Sequence, residues 1–340
     1  MRAVQIWEDL SLRIGECEAP RPGAGQVLVR VRAAGVCGTD LHITSGMHRP
    51  DHYPMTLGHE AAGVVEAAGP GVSIAAGTPA AIYNKLSCGM CEQCLRGRQN
   101  LCDNDPRQLG LNVDGGDADY VVVPERNAVP VPAALDLAVA AALTCAGMTA
   151  VHAVRLSGLR ANETAVVNGV GGVGILLIQV ARHAGAQVIA VCDTAEKLRL
   201  ATSHGAMDGV VAAAPDDYLS LPTRIRSMTG GHGADAYFEL VGTHLTMTAG
   251  IACLAKRGRF ISTGYTSEEL SLHPLDLILG ERSILATVAA TRWDLETAIR
   301  LATSGTITVP IAARYPLEAV EVALGALRKR RVLGRQILDL

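Results

Sequence analysis

Four cysteines within fifteen residues, Cys88-x2-Cys91-x2-Cys94-x7-Cys102, are the densest chemical feature of this 340-residue chain. Zn²⁺ takes four thiolates tetrahedrally at about 2.3 Å, which closes the site and leaves no position for substrate. The spacing therefore predicts a structural zinc. An iron–sulfur cluster also uses four cysteines, but nothing else here suggests electron transfer. The chain has nine cysteines and a cytosolic character, so disulfides are not the expected explanation. A second set of metal-capable residues is scattered: Cys37 in Cys37-Gly38-Thr39-Asp40-Leu41-His42, then His59-Glu60, then Cys145. Taken singly, each has an ordinary explanation in a core or a hydrogen-bond network. On spacing alone this second site stays open.

A third feature is the turn Asn168-Gly169-Val170-Gly171-Gly172-Val173-Gly174, with Gly-x-Gly-x-x-Gly at Gly169, Gly171 and Gly174. It follows a strand-like Val166-Val167 and opens a helix-length run, the context a dinucleotide site requires. Backbone N–H groups at such a helix start face a pyrophosphate, and missing side chains allow close approach. Asp193 ends the next strand, 24 residues after Gly169. A carboxylate there accepts from both hydroxyls of an adenosine ribose and repels a 2′-phosphate, which favours NAD over NADP. Lys197 and Arg199 lie close enough in sequence to bear on that choice, and Lys197 is counted among the cofactor residues.

These groups must be positioned by two kinds of architecture. The first third reads as short strands between Gly and Pro turns. Val27 to Arg32 alternates apolar and charged residues, and Gly63 to Glu66 and Tyr120 to Val123 are further strands. This is a β-rich, partly open barrel. After about Gly147, apolar strands (Val188 to Cys192, Ala236 to Leu240, Arg259 to Ser262) alternate with helical runs (Gly172 to His183, Glu196 to His204). That rhythm implies a doubly wound parallel sheet covered on both faces. Two helical patterns, Asp294 to Ser304 and Leu317 to Arg328, close the chain.

Composition sets the limits. Hydrophobic residues make up 49% and aromatics 3%, so the core must be built from Ala, Val, Leu and Ile. The net charge of −3 gives no reason to expect nucleic acid or an anionic membrane. The first sixteen residues lack an apolar targeting core. The Ala-rich stretch from Ala133 to Val154, interrupted by Asp136 and His152, reads as too weakly hydrophobic for a membrane span. A soluble, cytoplasmic protein is expected.

Taken together, these segments resemble the zinc-containing medium-chain alcohol dehydrogenase family over essentially the whole chain. The cysteine lobe falls between Glu60 and Cys145, as it does in that family. Cys102-Asp103 leading to Leu109-Gly110-Leu111-Asn112, and the closing Leu333-Gly334-Arg335-Gln336-Ile337, fit as well. The nearest likeness is to bacterial and archaeal NAD-dependent secondary alcohol dehydrogenases and carbonyl reductases. The resemblance implies an α/β fold with a GroES-like catalytic domain from residues 1–146 and 288–340, carrying a zinc lobe at about 84–103. A Rossmann NAD-binding domain would span 147–287. It further implies two Zn per chain, NAD(H), a small alcohol or carbonyl substrate, and a homotetramer or homodimer.

Carried over by motif position, Cys37, His59 and Cys145 would ligate the catalytic zinc, with Glu60 as an alternate ligand. Asp40 would orient His59. Zinc would lower the pKa of a bound alcohol. Thr39 would accept its proton and His42 would pass it to solvent. Thr149 and Val173 would lie beside the nicotinamide, with Gly172 in the phosphate turn and Arg335 near the pyrophosphate.

This chain departs from the family at Gly38, where relatives often place a cation against the pyrophosphate, so somewhat weaker cofactor binding is expected. Tyr83-Asn84-Lys85 occupies a pocket wall that is often aromatic. Asn84 and Lys85 would admit a polar or acidic substrate, unless Lys85 points to solvent. Leu109, Leu111 and Val288 are candidate apolar contacts. A threonine or polyol dehydrogenase of the same superfamily is the alternative, although such relatives usually place a carboxylate where Cys145 stands. A zinc-bearing binding module without catalysis is the remote one.

Overall fold

The computed structural model describes residues 1–340, which divide into two compact units. One comprises Met1–Met148, Ala289–Gly305 and Val309–Leu340; the other comprises Thr149–Val288 with Thr306–Thr308.

The first unit is organised by the strand Gln26–Val36. Val27, Val29 and Val31 are buried while Arg30 and Arg32 are exposed, so the two-residue period places one face in the core. Each such buried valine stabilises the fold by about 1.5–3 kcal/mol relative to an exposed one. Register irregularities at Leu28/Val29 and Val31/Ala33 bend the strand. It pairs antiparallel with Ala61–Ala68 along one edge. On the other edge it meets Tyr120–Pro124 over its first half and Arg335–Asp339 over its last residues. Pro79–Ile82, Ala128–Pro130 and Ile311–Pro316 complete a seven-stranded, curling sheet. The strand Arg2–Ile6 forms a smaller sheet with Leu12–Glu16 and Met55–Thr56.

The second unit carries six parallel strands, labelled β1 (Thr164–Asn168), β2 (Gln187–Cys192), β3 (Asp208–Val211), β4 (Ala234–Glu239), β5 (Leu254–Ser262) and β6 (Ser283–Ala286). Their spatial order is β3-β2-β1-β4-β5-β6. Every residue of β1 is buried, as a strand covered on both faces requires. The chain winds outward from β1 to β3 and then crosses back to β4. The carboxyl ends of β1 and β4 therefore flank the switch point where ligands of doubly wound sheets bind. The helix Gly172–His183 leaves β1 through the glycine turn; Ile175 to Ala181 are all buried, and Arg182 and His183 suit the negative end of its dipole. Gln179, its one buried polar side chain, explains why Thr306–Thr308 rejoins this unit, which sequence reasoning did not anticipate. Its Oε1 accepts from Thr308 N–H at 2.8 Å, and its Nε2 donates to Thr308 O at 2.9 Å.

One reading of the sequence needs correction. The helical run Leu137–Ser157 has a mean hydropathy of 1.8 and is long and apolar enough to cross a membrane. The sequence reading weighed Asp136 and His152 against this. Asp136 stands outside the helix as its N-terminal cap, accepting from Ala138 N–H, and only His152 and Arg155 interrupt the apolar run. Eighty-three per cent of that window is buried inside the protein, so the helix is part of the core.

Candidate active site

The cysteine lobe closes on itself. Cys88 Sγ lies 4.0 Å from Cys94 Sγ, and Cys91 Sγ lies 3.8 Å from Cys102 Sγ. Sulfurs at the corners of a tetrahedron with 2.3 Å bonds stand about 3.8 Å apart, so the four thiols fit a zinc and are far too distant for disulfides. Backbone amides are aimed at the sulfurs: Met90 N–H and Cys91 N–H donate to Cys88 Sγ at 3.4 and 3.3 Å, and Cys88 N–H and Asp105 N–H donate to Cys102 Sγ at 3.3 Å. The Met90 amide is the largest cause that holds the Cys88 thiol down to about 6. The loop thus prepays part of the cost of gathering negative charge.

The scattered residues converge within the first unit. Ligand atoms of Cys37, His59, Glu60 and Cys145 all lie within 4.8 Å of one another. Cys37 stands at the start of the helix Gly38–Thr44. Its amide donates to Asp40 Oδ2 at 2.8 Å, and the other carboxylate oxygen lies 3.2 Å from His59 Nδ1. Asp40 therefore positions both ligands. His59 follows Gly58, whose φ of +96° is a left-handed conformation suited to glycine. A side chain at Gly58 would also strike Asp117, a buried carboxyl packed beneath the loop. Cys145 sits in a π-helical turn, Leu143–Gly147, inside the apolar helix. Such wide turns recur at functional sites, and here one turns a core helix residue into a candidate ligand.

Several side chains in this cluster lack partners. His59 Nε2 and Glu60 Oε1 are buried without a hydrogen bond, 3.8 Å apart. Cys37 Sγ and Cys145 Sγ are 3.9 Å apart. A proton shared between these sulfurs holds Cys37 well below the ordinary thiol range and Cys145 well above it. Burial opposes a charge on His59, but Asp40 and Cys37 still hold its imidazole well above the usual range. Two thiols and an orphaned imidazole nitrogen are the three-donor set of a zinc site with an open position, and the orphaned Glu60 oxygen lies within reach of that fourth position. The residues fit the metal.

Glu60 is itself held by Arg335, whose guanidinium donates to Glu60 Oε2 in a buried ion pair. Burial pushes the Glu60 carboxyl up to about 7 against the pull of that arginine. Arg335, carried over as a pyrophosphate contact, is thus engaged beside the ligand cluster. Thr39 Oγ1 lies 3.9 Å from Cys37 Sγ. His42 is half-buried on the same helix, edge-on to the His48 ring at 6.1 Å. Burial lowers its imidazole below the ordinary value.

Asn84 and Lys85, read from sequence as pocket wall, have other work. Asn84 is buried, and its Nδ2 donates to His59 O at 2.9 Å and to Thr144 O at 3.2 Å. It ties two ligand-bearing segments together, a role that its sequence neighbourhood does not announce. Lys85 does not point to solvent: it is buried, and its Nζ donates to Pro106 O at 2.6 Å. A cavity of about 540 Å³ in the same unit, lined by Cys17, Thr56, Arg107, Tyr120 and Arg126, shares no side chain with the ligand cluster.

In the second unit, the glycine turn spans the carboxyl end of β1 and the start of the helix Gly172–His183. A Cβ on Gly174 would lie 2.0 Å from Gly169 O, whereas one on Gly171 would meet nothing within 4 Å. Gly174 is needed for close packing, and Gly171 leaves open space beside the amides of Gly172 and Val173. Asp193 directly follows β2, with Lys197 Nζ 2.7 Å from Oδ1 and donating to Oδ2 at 2.9 Å. Arg199 is engaged by Glu196 at 3.1 Å. Thr149, the first residue of this unit, is buried.

The fold and the two ligand clusters define a zinc-binding dehydrogenase architecture. Family profiles agree: "Alcohol dehydrogenase GroES-like domain" matches residues 23–133, and "Zinc-binding dehydrogenase" matches residues 172–304. An NAD-dependent alcohol dehydrogenase of Sulfurisphaera tokodaii is 34% identical over 349 residues, covering 99% of each chain. Among solved structures, AibC is 36% identical with a TM-score of 0.92, covering 100% of this chain and 95% of its own. A cobalt- and zinc-bound thermostable alcohol dehydrogenase from Pyrobaculum aerophilum is 31% identical with a TM-score of 0.90, covering 100% and 99%. The chain belongs to the zinc-containing medium-chain alcohol dehydrogenase family.

Proposed function

We propose that this protein oxidises alcohols, secondary alcohols above all, and reduces the matching carbonyls by hydride transfer to and from NAD. The observation that carries the reading is the convergence of Cys37, His59 and Cys145 into one buried cluster with an orphaned nitrogen, in a chain that also builds a glycine turn at a switch point. When bound, zinc supplies a Lewis acid for the substrate oxygen and NAD supplies the hydride acceptor. Cys37, His59 and Cys145 would hold the metal, with Glu60 within reach as an alternate, and Cys88, Cys91, Cys94 and Cys102 would hold the second zinc.

The chain's own residues do the rest. Asp40 fixes the imidazole of His59 and the backbone of Cys37 at once. Thr39, whose hydroxyl lies beside the Cys37 sulfur, would take the proton of a substrate alcohol. His42, kept neutral near pH 7 by burial, is the acceptor that passes it toward solvent. Asp193 would receive the adenosine ribose hydroxyls, with Lys197 beside it. The amides of Gly172 and Val173 would face the pyrophosphate. Thr149 and Val173 would flank the nicotinamide; Arg335 is counted with the cofactor residues on the family resemblance alone, since its guanidinium is held by Glu60.

In domain terms, the unit of Met1–Met148, Ala289–Gly305 and Val309–Leu340 would be the catalytic part, close to the expected 1–146 and 288–340, and Thr149–Val288 with Thr306–Thr308 the NAD-binding part, close to the expected 147–287. The protein is read as soluble and cytoplasmic, in keeping with nine free cysteines and a buried apolar helix. A homodimer or homotetramer is supported by the free edge of β6, flanked by the exposed Ile278, Leu279 and Ile284. The threonine or polyol reading gains no observation of its own. A panel of simple secondary alcohols, vicinal diols and threonine, followed by NADH formation, tests the proposal. Turnover is expected with the secondary alcohols, and turnover confined to threonine or diols would overturn it.

A further inference from the structure

The carboxyl ends of β1 and β4 lie side by side across the switch point, with Asn168 and Glu239 in register. Glu239 is fully buried, an expensive place for a carboxylate unless it is well satisfied. It has four donors. Asn168 Nδ2 donates to its Oε2 at 2.8 Å, while Val241 N–H and Gly242 N–H at 2.8 Å and Thr246 Oγ1 at 3.1 Å donate to its Oε1. One oxygen therefore faces the residue immediately before the glycine turn, and the other gathers the loop after β4. The two loops also interlock sterically. A Cβ on Gly169 would lie 3.2 Å from Leu240 Cβ and 3.3 Å from Val241 Cγ2, and one on Gly174 would lie 3.3 Å from Leu240 Cδ1. A plain core would close this gap with apolar residues. A carboxylate with donors on both oxygens fixes orientation as well as distance.

We propose that Glu239 is a positioning residue of the dinucleotide site, latching the glycine turn to the loop Leu240–Thr243 through Asn168. The latch holds both walls of the crevice in their binding arrangement before the cofactor arrives, so less ordering is left to be done on binding. The inference rests on the reading of this crevice as the NAD site. Glu239 touches no cofactor itself; it acts through Asn168 and the amides of Val241 and Gly242.

The test is an acceptor-to-donor exchange. In Glu239→Gln, Oε1 keeps its three donors while an amide nitrogen faces the amide of Asn168, whose reversal would turn Nδ2 toward the Tyr218 hydroxyl that donates to Asn168 Oδ1 at 3.4 Å. Expected are an about tenfold weaker NADH affinity by fluorescence titration and about tenfold faster hydrogen exchange at the amides of Val241 and Gly242. KM for NAD should rise by a similar factor while KM for the alcohol moves less than about twofold. The double variant Asn168→Asp with Glu239→Gln restores one donor facing one carboxylate at unchanged net charge. It should return affinity and exchange to within about threefold of the native protein. A single variant that binds NADH like the native protein, or a double no better than the single, overturns the latch. If the single variant is insoluble, a folded double that binds NADH supports it, and a double that fails alike overturns it. Failure of the native protein to bind NADH would instead sink the dinucleotide reading, and the exchange arm would still decide the latch.

Discussion

The two cysteine-bearing clusters are built on opposite plans. In the lobe, four ligands come from fifteen consecutive residues, and their charge is offset by amides of the same short loop. In the Cys37 cluster, the ligands come from a helix start, a glycine-preceded loop and a π-turn more than a hundred residues away. Its charge is governed by buried side chains: Asp40, Glu60 and Arg335. A local loop can close around a metal and be finished. A site assembled from distant elements leaves one direction open and surrounds it with groups that hold or move protons. That difference separates a metal that stabilises from one that reacts.

The largest contrast should come from removing one ligand of each cluster. Cys37→Ser or His59→Ala should lower turnover by about a thousandfold or more and halve the zinc content while the thermal transition barely moves. Retained turnover in metal-depleted Cys37→Ser protein would break the assignment. Cys91→Ser should do the reverse, costing about 3 kcal/mol of stability by denaturant titration with turnover per folded molecule within about twofold. Unchanged stability with immediate loss of turnover would mean that the roles are exchanged.

Asn84→Ala sharpens the comparison further, since only the open cluster depends on a distant tie. Losing its bonds to His59 O and Thr144 O should cost about 2 kcal/mol and loosen zinc at the open cluster alone, as followed with a colorimetric chelator. Equal loosening at both clusters would contradict it.

His42→Gln probes the proton path. In the native protein, alcohol oxidation should fall on the acid side as His42 becomes protonated. Because burial lowers its imidazole, that limb should lie below the ordinary value near 6.5. The variant should be slower by about tenfold at neutral pH, with the limb removed; an unaltered limb would exclude His42. The smallest effect expected is at Gly38, where a side chain meets no atom within 4 Å. Gly38→Arg should tighten NAD about threefold if a cation there reaches the pyrophosphate, and unchanged affinity would remove that explanation.

Legibility in the sequence followed the same divide. The lobe was readable because its chemistry is local, and the parallel sheet because a strand such as Val188 to Cys192 is apolar on both faces. The helix Gly172–His183 was placed to the residue because its glycine start and its basic end are both local signals. The scattered ligands needed the family resemblance, since no period links Cys37 to Cys145. What stayed hidden depends on side-chain direction. Asn84 reads as pocket wall and is a tie; Lys85 reads as either pocket wall or solvent-facing and is clamped to Pro106; Glu239 reads as one more polar residue at a strand end. The π-turn around Cys145 left no trace in an Ala-rich run. Thr306–Thr308 joins the second unit through Gln179, a contact between residues 129 positions apart.

The measurement that bears most directly on the two-cluster account is zinc content followed together with turnover and melting temperature as a chelator is applied. Two zincs per chain should leave in separate phases, with turnover lost in the first and thermal stability in the second. A single phase in which activity and fold disappear together, or full turnover in zinc-free protein, would contradict the account.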